Sequence, residues 1–169
     1  NISIENVGQP NPQQAIPYPG LIEVSGLSGN TSTITVGLNG LTHTDVTDLD
    51  MLLISPTGTP YVFLSDVGNG TDISNVNLVI SDAAANALPI GATLTSGTFR
   101  PTNSTSGDAI PNTTLGTVTA SGTNTAAPAG TGTLSTAFGG SSPNGVWRLY
   151  VLDDAAGDVG SLSGGWNLT

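Results

Sequence analysis

The chain contains no cysteine and no lysine, and its 169 residues include only two arginines, one histidine and eight aromatic rings. Without cysteine, disulfides, zinc thiolates and cysteine nucleophiles are excluded together. Two isolated cations, Arg100 and Arg148, cannot follow a phosphate backbone or grip an anionic bilayer. Neither nucleic acid nor membrane insertion is therefore expected. No apolar run nears the roughly 20 residues of a spanning helix, and the first residues combine neither a basic nor an apolar region. Charged residues make up 8% of the chain, against about a quarter in an average soluble domain, yet 12 acidic groups leave a net charge of −10.

What remains is Thr, Ser, Asn and Gly, poor helix material, interleaved with 37% hydrophobic residues. The length suits one domain with its own core. This composition points to an exported or cell-surface protein and to a piece of a longer polypeptide. Residues 1–15, with Pro10 and Pro12, read as an extended lead-in. From there a period of two takes over: Ile34, Val36 and Leu38 alternate with Thr and Gly, and Val76, Leu78 and Ile80 with polar neighbours. Residues 48–54 are more apolar and end in the turn Ser55-Pro56-Thr57-Gly58-Thr59, after which 61–64 is the returning strand. Residues 82–88 allow at most one helical winding, and 94–100 form a strand stopped by Pro101. Residues 102–133 carry few large apolar side chains beyond Ile110, Leu115 and Val118, which predicts a long surface loop with a small hairpin near 115–120. In 146–152, Trp147, Leu149 and Val151 share one face and Arg148 and Tyr150 the other; a last strand holds Leu162, Trp166 and Leu168. The pattern predicts an all-β fold, an antiparallel β-sandwich of about eight strands.

Three stretches together resemble the P domain of proprotein convertases, the P/Homo B domain that follows the catalytic domain of subtilisin-like proteases. The first runs from Leu41-Thr42-His43-Thr44-Asp45 through Asp48-Leu49 to Ser55-Pro56-Thr57-Gly58-Thr59. The second is Gly97-Thr98-Phe99-Arg100-Pro101, where the family usually has Tyr at Phe99. The third is Asn144-Gly145-Val146-Trp147-Arg148-Leu149, continuing through Asp153, Gly157-Asp158 and Gly160 to Trp166-Asn167-Leu168. The likeness covers residues 16–169, with 102–133 as an insertion and a single carboxylate, Asp82, where the family carries an acidic pair. It implies an antiparallel jelly-roll-like β-sandwich of about eight strands, non-catalytic, that packs on and stabilises a neighbouring domain.

Hydrolysis would have to use His43 as its base; it lies between two threonines, no Gly-x-Ser-x-Gly elbow accompanies it, and a structural histidine is expected. Calcium is the better chemistry, since it takes six to eight hard oxygens and relieves repulsion between clustered carboxylates. Asp45, Asp48 and Asp50 fall in one six-residue window and Asp153, Asp154 and Asp158 in another. Asp48, Asp82, Asp153 and Asp158 are the candidate ligands, with turn-making as the competing role of each aspartate; Asp50 alternates with Leu49 and Met51 and reads as solvent-facing. Trp147 and Trp166 read as core rings and Tyr150 as an exposed one. The expectation is a non-catalytic accessory module of a larger secreted or cell-surface protein, its partner a protease domain of the same polypeptide. The alternative is a stand-alone carbohydrate- or protein-binding module.

Overall fold

The computed structural model describes residues 1–5 and 12–169. Among these, thirteen strands form two large sheets and a hairpin: β1 (Ile2–Ile4), β2 (Gln13–Gln14), β3 (Gly20–Val24), β4 (Thr35–His43), β5 (Leu49–Ile54), β6 (Pro60–Ser65), β7 (Ile73–Ser81), β8 (Gly97–Phe99), β9 (Thr102–Asn103), β10 (Ala109–Asn112), β11 (Gly116–Thr119), β12 (Gly145–Asp153) and β13 (Gly160–Leu168). The chain is all-β, as its alternation predicts. The first sheet has the order β1-β13-β4-β7-β8; the second has β2-β12-β5-β6-β9, with β3 also paired to β12; β10 and β11 stand apart. Most pairings are antiparallel, but β6–β9 and β7–β8 are parallel. Short pairings account for the excess over eight strands: β1, β2, β8 and β9 have two or three residues each.

The sheets face each other across one apolar layer. Val36, Leu38 and Leu41 of β4 and Leu78 and Ile80 of β7 meet Leu49, Met51 and Leu53 of β5 and Trp147, Leu149 and Val151 of β12. At its centre Phe138 stands edge-on to Trp147 and Tyr61, the arrangement that the quadrupoles of aromatic rings favour. The lead-in contributes: Ile2 and Ile4 are buried and pair with β13, while Gln13–Gln14 pairs with β12. Residues 6–11 of that expectation lie outside the described residues.

Residues 102–133, expected as a surface loop, form a second layer instead. Ile110, Val118 and Ala120 cover the outer face of β5, β6 and β12, burying Leu52, Ile54, Val62, Tyr150 and Leu152. All six residues of β5 are consequently buried. Few apolar side chains suffice because polar groups in the segment satisfy one another. The Asn103 amide donates to Thr125 Oγ1 at 2.8 Å, and Asn112 Oδ1 accepts from the N–H of Thr114 and Leu115 at 3.1 and 2.7 Å, closing the hairpin. Of its expected apolar residues only Leu115 stays out, 47% exposed.

Candidate functional site

Two connections meet at one end of the sandwich. Residues 44–48 join β4 to β5 and residues 154–159 join β12 to β13; Thr44 Oγ1 donates to Asp158 Oδ1 at 2.7 Å, and the Asp154 N–H reaches the Asp48 carbonyl at 2.9 Å. Asp45 caps the short 3-10 turn Val46–Asp48, accepting from the Thr47 N–H. The likeness blocks carrying the two aspartate windows are thus brought together.

The backbone of β4 aims His43 into this end. Val36 and Leu38 point into the core on even positions, so simple alternation would turn His43 outward. The register shifts between Leu38 and Leu41, where Gly40 holds a φ of +66°. Such a bulge exchanges the two faces of a strand, so Leu41 and His43 point inward. His43 is 1% exposed. Its Nδ1 lies 2.7 Å from the Asp45 carbonyl, which makes Nδ1 the donor there; Nε2 faces Asp153 Oδ2 at 3.5 Å, both side chains fully buried. His43 is thus bonded to a loop backbone, the structural role expected of this histidine, and lies beside Asp153 of the second sheet, where neither Nε2 nor Asp153 Oδ2 has a hydrogen-bond partner.

Around that pair, eight of the 12 carboxylates form one electrostatic group. Burial, then Asp45, Asp158, Asp154 and Asp153, raise Asp48 to about 6. Burial raises Asp50 to about 8, against a lowering hydrogen bond from Ser65, with Asp108, Asp154 and Asp66 adding to the rise. Asp66, Asp153 and Asp154 are also raised, each chiefly by burial. Asp50, Asp108 and Asp154, with Pro12, Ala109 and Leu152, line a pocket of about 250 Å³. Asp50 is 2% exposed, contrary to its expected solvent-facing position: it shares the outer face of β5 with Leu52 and Ile54, which residues 102–120 cover. Tyr150, expected to be exposed, is buried for the same reason, its hydroxyl 2.7 Å from Thr114 Oγ1. Asp66 and Asp108 are members that sequence reading missed. The one local signal was an acidic residue, Asp50, inside an otherwise apolar run.

Of the candidate ligands, Asp48, Asp153 and Asp158 share this end and Asp82 does not. Asp82 follows β7 where Ser81 pairs with Thr35, whereas His43 pairs with Ile73. The two sites thus stand at opposite ends of nine-residue β4, roughly 26 Å apart at about 3.3 Å per residue. Asp82 instead accepts from the N–H of Leu134 and Ser135 at 3.0 and 2.8 Å and from Ser135 Oγ at 2.7 Å, holding the first turn of α1 (Leu134–Phe138). Asp153 Oδ1 is engaged by the Ala155 N–H and Asp158 by Thr44. Among the described residues no three His, Cys, Asp or Glu side chains converge as a metal-holding group. The oxygens suit calcium chemically, but their arrangement does not fit a preformed cage.

A scan against protein-family models, a search of curated proteins and a search of solved structures each found no match.

Proposed function

We propose that this chain is a non-catalytic accessory module of an exported protein, similar to the P domain, that stabilises a neighbouring protease domain of the same polypeptide. The observation carrying the reading is the placement of His43. The one imidazole of the chain is 1% exposed, with Nδ1 bonded to the Asp45 carbonyl and Nε2 turned to Asp153 at 3.5 Å, a burial that supports a structural rather than a catalytic histidine. The order of the three likeness blocks along the chain supports the P-domain likeness, and the lysine-free composition rich in Thr, Asn and Gly suits an exported protein.

The test compares the full encoded polypeptide containing residues 1–169 with the same polypeptide lacking them. Loss of melting temperature and secreted yield in the remainder is the expected result; an unchanged remainder overturns the accessory role. Separately, hydrolysis of a peptide or ester by the isolated chain, abolished in a folded His43→Ala variant, would overturn the non-catalytic reading.

A further inference from the structure

An edge strand offers a row of unpaired N–H and C=O groups, and proteins commonly close such edges with lysine, proline, bulges or a covering loop. Several edges here are closed. Ser3 of β1 exchanges hydrogen bonds with Ile16 at 2.8 and 2.7 Å, Asn103 of β9 is bonded by Ala127 and Ala129 at 3.0 Å, and Val62 of β6 accepts from Ala126 at 3.1 Å. In contrast, β3 pairs with β12 over all five of its residues, Gly20 opposite Leu149 through Val24 opposite Gly145. On its other side, the backbone of residues 21–24 makes no hydrogen bond to any described residue. The chain has no lysine to guard this edge, and β3 contains neither proline nor a register shift.

The side chains beside the edge are apolar. Ile16, Leu21 and Leu27 are 62%, 61% and 56% exposed, three of the seven exposed large hydrophobic residues among those described. A groove of about 350 Å³ opens beyond the C-terminal end of β3, walled by Val24, Leu27, Ile34, Pro143, Trp147 and Leu168. This is the size and lining of a site that accepts a bulky apolar group. Thr31, also on its wall, has a hydroxyl shielded from solvent and without a hydrogen-bond partner. At the other end of β3 a second depression is lined by Ile2, Leu21, Ile22 and Trp166.

We propose that β3 receives an extended peptide segment, which adds to the sheet as a further strand and seats an apolar side chain in the groove beside Trp147. Open backbone groups select an extended chain over a helix or a small solute, because only a strand returns hydrogen bonds at the same spacing. Charge selects the kind of strand. The charges along this strip are Glu23 on β3 and Arg148, which stands opposite Leu21 on β12; the domain as a whole carries −10, and that field matches a segment alternating bulky apolar residues with Lys or Arg. A second copy of this chain brings another −10 to the contact and is disfavoured. The proposal names how the accessory contact is made and rests on that reading. The isolated chain tests it, so failure here leaves the stabilisation comparison above intact.

The probes are capped nine-residue peptides in which Val, Leu, Ile or Phe alternates with Lys and Thr, used at up to 1 mM with the ¹⁵N-labelled chain. Amide exchange of residues 21–24 should slow at least tenfold in the presence of the best peptide. The same peptide N-methylated at alternate residues, unable to donate along one edge, should bind at least tenfold more weakly. Leu21→Lys, at an exposed position that leaves folding intact, should weaken binding to a similar extent. The proposal is overturned if no peptide protects these amides at 1 mM, if N-methylation leaves affinity unchanged, if protection maps to the acidic end instead, or if β3 is occupied by a second copy in sedimentation.

Discussion

Replacing Asp50 with Asn should stabilise the protein, and by an amount that depends on pH. Asp50 is 2% exposed, and burial followed by neighbouring carboxylates raises its pKa from 3.8 to about 8. A group whose folded pKa lies above its unfolded value keeps its full contribution to stability below the unfolded pKa and loses it as pH rises through the folded one. Between 3.8 and pH 7 about 3.2 units intervene, each about 1.4 kcal/mol, so ionisation in the unfolded chain costs the native state on the order of 4 kcal/mol at pH 7. Asparagine conserves the volume and the hydrogen bond to Ser65 and does not titrate. Urea unfolding of both proteins, followed by tryptophan fluorescence at integral pH from 4 to 8, isolates this group from the other raised aspartates. The variant should match the parent near pH 4 and exceed it increasingly up to pH 8. A difference of equal size at both ends, or a parent that gains on the variant with rising pH, would refute the reasoning.

Ile110→Ala should cost about 2–5 kcal/mol, the range for emptying a packed apolar position, and leave Tyr150 accessible to nitration; an effect near zero in urea unfolding would mean that residues 102–133 do not form a layer. Asp82→Ala should cost about 1 kcal/mol by leaving the first-turn amides of α1 without their carboxylate acceptor, with faster amide exchange at Leu134 and Ser135. Calcium should act at the other end and weakly: EDTA should leave the melting temperature unchanged, while 10 mM calcium, at a dissociation constant of order 1 mM, should add about 1.4 kcal/mol, equally in Asp82→Ala. A large EDTA effect would show a tight cage, and no calcium effect beyond matched ionic strength would show that the carboxylates do not repel as described.

The inner layer was legible because alternation reports which residues face a core: Val36, Leu38, Trp147, Leu149 and Val151 all do so. Three expectations failed for one reason. Asp50 and Tyr150 lie on the outer faces of β5 and β12, and a period of two says which residues share a face, not whether another segment covers it. The covering segment went unrecognised because its order comes from Asn and Thr bonding to backbone and to one another, which composition counts as loop. The inward turn of His43 was hidden by the bulge at Gly40, since one extra residue reverses the parity that alternation relies on. The approach of the two aspartate windows was foreseeable once the likeness blocks were aligned as neighbouring connections. The misplacement of Asp82 was not, because its partners stand 52 and 53 residues away.

The charge distribution ties these features together. Eight carboxylates share the end where His43 lies beside Asp153, while Arg148 stands near the start of β12 and Arg100 is held by the carbonyls of Ala84 and Ala85. Neither arginine pairs with a carboxylate among the described residues, so the acidic end is left to self-repulsion and to burial. That end disfavours close packing against another acidic surface, whereas the strip along β3 carries one carboxylate and three exposed aliphatic side chains. The proposed contact at the β3 edge would let a neighbour bury apolar area away from that repulsion. The cost of the acidic end falls as pH drops, because the raised carboxyls of Asp48 and Asp50 take up protons there.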